Sequence, residues 1–161
     1  MIIKEAPSSR FLLVGEHCNP KEMREVYNFI RNHELASFIE LPGIIVGRDK
    51  EKILLNSDIF VFTPITPEGQ PLVILEAMAA GLPVISTCQG AIPDMLIDGI
   101  NGFIVRPEDP AAIAEKVNLL LKDEPLRIKM GRSSREIFLE RFTLDRWCKD
   151  MNNMFLQVSR E

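Results

Sequence analysis

The stretch that decides the fold is IFVFTPITPEGQPLVILEAMAAGLPVIS, residues 59–86. Its first five residues are continuous, apolar and β-prone, which predicts a buried strand over 59–63. The apolar run that follows predicts a helix over 71–80, because Gly81 fits the position just past a helix end. PVIS then predicts a second strand over 83–86. A strand, a helix and a strand in this order are typical of a parallel β-α-β unit.

The same alternation extends to both sides of this unit. Continuous apolar strands interleaved with helices predict a parallel sheet covered on both faces. Right-handed crossovers make this a doubly wound, Rossmann-like α/β fold, which we expect to span residues 1–161 as a single domain. The further predicted elements are buried or short strands at 11–15, 37–40 and 103–105, helices at 20–32, 49–57, 110–122, 126–141 and 145–158, and a turn at Pro42-Gly43.

Composition and charge exclude several classes of protein. The net charge of −4 argues against a nucleic-acid-binding protein, which usually presents a basic face. No apolar run approaches the ~20 residues of a membrane span, and the N-terminal residues MIIKEAPSSR are too charged for a signal peptide. The three cysteines, Cys18, Cys88 and Cys148, lack metal-ligand or redox spacing. They predict reduced, buried or half-buried thiols in a cytoplasmic protein without a metal site.

The start of the helix predicted over 71–80 is the candidate ligand site. The loop before it follows a parallel strand at its carboxyl end, where such sheets bind ligands. The first N–H groups of a helix have no partner inside the helix, and with the helix dipole they can hold a phosphate oxygen. Because Pro71 has no N–H, Leu72 and Val73 supply the nearest donors.

Two carboxylates, Glu68 and Glu76, flank this helix start. Glu76 shares a helix face with Leu72 and lies about one turn deeper, where it could accept hydrogen bonds from the hydroxyls of a ribose. Glu68 would then face a transferred sugar, with a diphosphate between the two. The same residues also allow Glu76 to be a core carboxylate paired with a Lys or Arg, since an unpaired buried carboxylate costs several kcal/mol. Glu68 could equally be a solvated loop residue, and the residues alone leave both alternatives open.

Several motifs in order over residues 57–147 resemble one protein family. The motifs are SDIFVFTP, EGQPLVILEAMAAGLPVIS, GAIPDMLIDGINGFIVRPEDPAAIAEKVNLLLKDE and FTLDRW. They resemble the C-terminal, donor-binding lobe of the family 4 retaining glycosyltransferases of the GT-B fold. The resemblance implies one incomplete GT-B lobe that binds a nucleotide diphosphate sugar. It also implies transfer of the sugar, with retention and without a metal or other cofactor, to a glycan, lipid or small-molecule acceptor.

The resemblance also implies roles for individual residues. It assigns Glu68 to the catalytic site beside the donor sugar and Glu76 to the ribose. The N–H groups of Leu72 and Val73 would meet the diphosphate. Gly90 could let a loop approach the donor or could simply form a turn. The other donor-binding residues that the resemblance implies are Gly69, Gln70 and Pro71 beside the sugar and Gly43 and Ile44 near the nucleobase.

GT-B enzymes place their active site between two lobes, and the resemblance covers only one of them. The acceptor-binding lobe and the first strand–helix unit of the donor lobe, with its Gly-Lys loop, have no counterpart in these 161 residues. We therefore expect a partner lobe or complementary chain, peripheral membrane contact through that lobe, and little turnover by this chain alone. The alternative function is a non-catalytic Rossmann-like subunit or scaffold that has lost nucleotide-sugar binding.

Overall fold

The structure, a computed structural model, describes residues 2–16 and 19–158. The chain divides into an N-terminal unit, Met1–Lys52, and a C-terminal unit, Ile53–Glu161. The parallel α/β fold class is confirmed in both units, whereas the single domain over 1–161 stays a prediction. Cys18 lies outside the described residues.

The N-terminal unit contains two parallel strands. Its helix over 20–32 begins as predicted, because the Asn19 side chain caps it by accepting a hydrogen bond from the Lys21 N–H at 2.9 Å. The strand over 11–14 is confirmed, but three of its four residues are exposed rather than buried. In chain order the elements are α1 (Ile2–Glu5), β1 (Phe11–Val14), α2 (Pro20–Asn32), β2 (Ile39–Gly43) and α3 (Gly47–Leu55), which crosses the division between the units.

The predicted turn at Pro42-Gly43 is wrong, because both residues belong to β2. The parallel register runs from Leu12 opposite Glu40 to Val14 opposite Gly43, so β2 accommodates one extra residue. Gly43 has a φ of 78°, as expected of a glycine in a bulge. Pro42 fits because, among the described residues, β2 pairs with one strand, and a missing N–H is tolerated at the edge of a sheet.

The C-terminal unit contains a three-stranded parallel sheet in the order β3-β4-β5. The central strand, β4, pairs Ile85 with Val61 on one side and with Phe103 on the other. All four residues of β4 are buried. The elements are β3 (Phe60–Phe62), α4 (Leu72–Ala79), β4 (Val84–Thr87), α5 (Ile92–Met95), β5 (Gly102–Val105), α6 (Pro110–Lys122), α7 (Glu124–Arg141) and α8 (Leu144–Val158).

The hydrophobic core of the C-terminal unit combines residues of α4 with residues of β4 and α5. The end of α4 is fixed by Gly81, whose φ is 78° and whose N–H donates to the Met78 carbonyl at 2.9 Å. The Leu82 N–H donates to the Ala77 carbonyl at 3.0 Å, which completes the Schellman motif predicted by the glycine. The buried core residues are Leu54, Ile74, Ala77, Met78, Leu82, Val84, Ile92, Met95 and Leu96.

Three helices follow the sheet, as the sequence predicts. α7 begins at Glu124 rather than at residue 126, because the Asp123 side chain accepts a hydrogen bond from the Leu126 N–H at 2.9 Å and caps the helix. Cys88 and Cys148 are both exposed free cysteines, so the prediction that they are buried or half-buried is wrong.

Candidate functional site

The start of α4 has no side chain that caps it. Its N-cap is Pro71, whose side chain makes no capping hydrogen bond, so the described residues leave the helix start open to a ligand. Leu72 is 68% exposed, and the first N–H bonded back within this turn is that of Ile74, which donates to the Pro71 carbonyl at 3.0 Å. The two predicted phosphate donors, the N–H groups of Leu72 and Val73, therefore lie at an accessible end of the helix.

Glu76 lies one turn into α4, after Leu72 and before the buried Ala77 and Met78. Its side chain is half-buried, and the Oε2 atom is itself buried. Glu76 shares a helix face with Leu72, four residues earlier. As predicted, Glu76 lies deeper in the helix than its first residues. Its hydrogen bonds to a ribose stay a prediction.

Glu68 lies in the loop between β3 and α4 and is half-buried. Its backbone carbonyl accepts a hydrogen bond from the Ala91 N–H at 3.3 Å, and the next carbonyl, of Gly69, accepts one from the same N–H at 3.2 Å. Gly69 and Gln70, which connect Glu68 to the helix start, are exposed. The loop therefore carries Glu68 on a backbone that is fixed in place while the adjoining residues face solvent.

Two hydroxyls at the end of β4 hold the beginning of this loop. The Ser86 Oγ donates to the Phe62 carbonyl, and the Thr87 Oγ1 donates to the Pro64 carbonyl at 2.7 Å. Both side chains are fully buried. The role of these two residues was not predicted from the sequence, although adjacent hydroxyl residues at the end of an otherwise apolar strand are a signal for it.

The predicted nucleobase residues belong to the N-terminal unit. Gly43 ends β2, and Ile44 follows it with 65% of its surface exposed. An exposed apolar side chain just after a parallel strand could pack against a planar base, and this role stays a prediction. The structure thus brings Glu68, the helix start and Glu76 together on one loop and one helix, and places Gly43 and Ile44 in the other unit.

Two kinds of feature are missing from the part of the chain that the structure describes. Within residues 2–16 and 19–158, no group of three or more His, Cys, Asp or Glu side chains is arranged to hold a metal ion. Over the same ranges, no helix is long and apolar enough to cross a membrane.

The loop with Glu68 and the uncapped start of α4 follow a parallel strand at its carboxyl end, which is where parallel α/β proteins bind ligands, and a helix start favours an anionic one. Residues 2–137 match the family described as "Glycosyl transferases group 1". The chain belongs to this family, which confirms the resemblance stated above.

Individual proteins are similar to the chain in sequence or in fold. The N-acetyl-alpha-D-glucosaminyl L-malate synthase of Bacillus anthracis is 33% identical over 155 residues, which are 95% of this chain and 39% of that protein. The crystal structure of HepE from Anabaena in complex with UDP has a TM-score of 0.86 at 21% identity, and the match covers 97% of this chain and 44% of HepE. The C-terminal domain of the group 1 glycosyltransferase LpcC from Francisella tularensis has a TM-score of 0.79 at 27% identity over 89% of this chain and 74% of that domain structure.

The chain spans about 40% of the length of the full-length relatives that it matches. By contrast, the LpcC structure is a separate C-terminal domain, and the chain covers most of it. The 161 residues therefore correspond to one part of a group 1 glycosyltransferase.

Proposed function

We propose that this chain is the donor-binding lobe of a retaining glycosyltransferase that takes its sugar from a nucleotide diphosphate sugar. The observation that carries the proposal is the open start of α4, with Glu76 one turn inside it and Glu68 on the fixed loop before it. Membership of the glycosyltransferase family supports transferase chemistry, and the UDP bound to the similar HepE structure supports a nucleotide donor.

In this proposal each part of the site binds one part of the donor. The N–H groups of Leu72 and Val73 and the positive end of the α4 dipole bind the diphosphate, which removes the need for a metal cation. The Glu76 carboxylate accepts hydrogen bonds from the ribose hydroxyls. Glu68, with the N–H groups beside it, contacts the sugar that is transferred, and Gly43 and Ile44 border the nucleobase.

We also propose that a second lobe or chain completes the cleft. Full-length relatives are more than twice as long as this chain, and catalysis by positioning, which supplies ~7–11 kcal/mol in well-oriented reactions, needs both substrates to be held. The last helix offers apolar surface for such a contact, since Trp147 and Phe155 are 59% and 62% exposed. Location in the cytoplasm and membrane contact through this lobe remain part of the proposal.

Nucleotide binding by the 161-residue chain tests the proposed function. Saturation-transfer NMR and calorimetry with UDP, GDP and ADP should detect binding of at least one of them. Glu76→Ala should lower the affinity at least tenfold, because hydrogen bonds to a charged group are worth ~1.5–3 kcal/mol each. Glu115→Ala, which removes an exposed helix carboxylate elsewhere in the same unit, should leave the affinity unchanged.

The outcome separates the proposed function from its alternative. Circular dichroism should show that Glu76→Ala keeps its fold, so that a loss of binding reports on the site. If none of the three nucleotides binds to the wild-type chain, the non-catalytic subunit or scaffold becomes the better description. If Glu76→Ala binds as tightly as the wild type, the placement of the ribose is wrong.

A further inference from the structure

The loop between β4 and α5 packs directly on the backbone of Glu68. A Cβ atom placed on Gly90 would lie 1.5 Å from the Glu68 carbonyl oxygen and 2.6 Å from its carbonyl carbon. Neither backbone atom can move out of the way as the end of a flexible side chain could. Gly90 also has a φ of 55°, a conformation that costs a residue with a side chain additional energy. Both features require glycine at this position, and the close approach connects it to Glu68.

The next residue fixes the orientation of two peptide groups. The Ala91 N–H donates to the carbonyls of both Glu68 and Gly69, at 3.3 and 3.2 Å, so both carbonyls point toward it. In a planar trans peptide the N–H points opposite to the carbonyl. The N–H groups of Gly69 and Gln70 must therefore point to the other side, away from Ala91. No described residue accepts a hydrogen bond from either of them.

Two successive N–H groups on the same side of the chain form a concavity that binds a negatively charged or electron-rich oxygen. We propose that Gly90 is a positioning residue for the donor, which holds the Glu68 peptide so that the N–H groups of Gly69 and Gln70 face the sugar end of the donor. This inference rests on the proposed function. It assigns the β4–α5 loop a role in sugar recognition that is separate from nucleotide binding at α4.

The hydroxyl of Thr87 supports the other end of the same loop. Thr87 is fully buried, and its hydrogen bond to the Pro64 carbonyl fixes the loop four residues before Glu68. The loop is thus held at its beginning by β4 and near its end by Gly90 and Ala91. A second variant can therefore disturb the position of Glu68 without changing Gly90.

Gly90→Ala and Gly99→Ala form a matched pair of variants for the test. Gly99 also has a positive φ, 74°, but a Cβ there would meet no atom within 4 Å. The two substitutions share the backbone cost of alanine in this conformation, and only Gly90→Ala displaces the Glu68 backbone. Differences between the two variants therefore report on the contact with Glu68.

The binding measurement compares the nucleotide with its sugar ester. Of UDP, GDP and ADP, the one that binds best is measured alongside its glucose ester, for the wild type and both variants. Gly90→Ala should raise the ratio of the dissociation constant of the glucose ester to that of the nucleotide at least tenfold. Its affinity for the nucleotide alone should fall less than threefold. Gly99→Ala should keep both values within twofold of the wild type.

A second measurement requires no ligand. In ¹H–¹⁵N NMR spectra, Gly90→Ala should shift the amide signals of Gly69, Gln70 and Ala91, and Gly99→Ala should leave them in place. If Gly90→Ala does not fold, Thr87→Val, which removes the hydroxyl at nearly constant volume, should raise the same binding ratio at least threefold. Thr87→Ser, which keeps the hydroxyl, should restore it.

The possible results distinguish the two proposals. A wild-type chain that binds none of the three nucleotides refutes the proposed function and with it the role of Gly90. If the wild type binds but Gly90→Ala leaves the ratio or the amide signals unchanged, only the positioning role is refuted. An equal loss of affinity for nucleotide and glucose ester also refutes it, because the loop would then not act on the sugar end.

Discussion

Strands β1 and β4 are both short and parallel, yet their environments differ. β1 is FLLV, and its last three residues are 42–44% exposed. β4 is VIST, less apolar in sequence, and all four of its residues are buried. β4 lies between two strands with α4 and α6 packed on it, whereas β1 has one paired strand, β2, in the part of the chain that the structure describes. Burial is therefore set by how many layers surround a strand, and the hydropathy of the strand itself does not predict it.

The difference matters for the candidate site. Two residues that hold the Glu68 loop, Ser86 and Thr87, belong to β4. The third, Gly90, lies in the loop that follows β4. A fully packed central strand gives such contacts a rigid support, since side chains in a dense core have few alternative positions. Gly43 ends β2 and Ile44 follows it, in the N-terminal unit. The contacts that hold the Glu68 loop therefore rest on the more densely packed of the two sheets.

The largest loss of stability is expected when a residue of the buried C-terminal core is truncated, compared with a residue of the exposed strand β1. Met78 is fully buried in the core of the C-terminal unit, so Met78→Ala should cost ~2–5 kcal/mol of unfolding free energy. Leu13→Ala in β1 removes a side chain that is 44% exposed and should cost under ~1.5 kcal/mol. Urea unfolding followed by circular dichroism measures both. Equal losses would show that β1 is supported as strongly as the core of the C-terminal unit.

The next largest difference in stability is expected between the variants of two asparagines. Asn101 is fully buried, accepts a hydrogen bond from the Ile97 N–H at 2.7 Å and donates to the Met95 carbonyl at 3.1 Å. Asn101→Ala leaves both backbone groups unsatisfied and should cost ~2–3 kcal/mol.

The matched control is Asn28→Ala in α2. Asn28 is exposed and accepts a single hydrogen bond from Arg31 at 3.1 Å, so its loss should change stability by less than ~0.5 kcal/mol. Thermal unfolding of both variants makes the comparison. A change at position 28 as large as that at position 101 would contradict the assignment of the buried amide as the stronger determinant.

The helix caps are expected to contribute the same amount of stability in the two units. Asp109 caps α6 by accepting from the Ala112 N–H at 2.9 Å, and Asn19 caps α2 in the same manner with Lys21. Asp109→Ala and Asn19→Ala should each cost ~1 kcal/mol, because the energy of a cap depends on one hydrogen bond at the helix start. Hydrogen exchange of the first turn of each helix measures the effect. A cost confined to one unit would show that packing modulates the caps.

Local signals in the sequence predicted the helices and strands well, and long-range contacts explain what was missed. Gly81 placed the end of α4, since a Schellman motif is specified within six residues. The turn predicted at Pro42-Gly43 failed because β1, almost thirty residues upstream, incorporates both residues into a sheet.

For the site, the spacing of Glu68 and Glu76 around a helix start was visible in the sequence, because both lie within one loop and one helix. The sequence alone did not decide whether Gly90 forms a turn or lets a loop approach the donor. Only the structure shows that its Cα lies against the Glu68 backbone, 22 residues earlier in the chain. Contacts of this kind depend on the order of strands in the sheet, and no local pattern encodes them.

Removal of a surface ion pair should change the free energy of unfolding least of all, and it should do so alike in both units. Arg146 donates to Asp150 at 2.8 Å on α8, and this hydrogen bond and the charge of Asp150 raise the pKa of Arg146. A raised pKa stabilises the folded state below the ordinary pKa of arginine and is lost only at still higher pH, so this pair should add no pH dependence between pH 5 and 9. Because both side chains are half exposed, Asp150→Asn should leave the unfolding midpoint unchanged within error. Asp49→Asn, which breaks the exposed pair with Lys52 in α3, should also leave the unfolding midpoint unchanged. Urea unfolding at low and high salt measures both variants. A resolved shift of the midpoint in either variant would contradict the expectation.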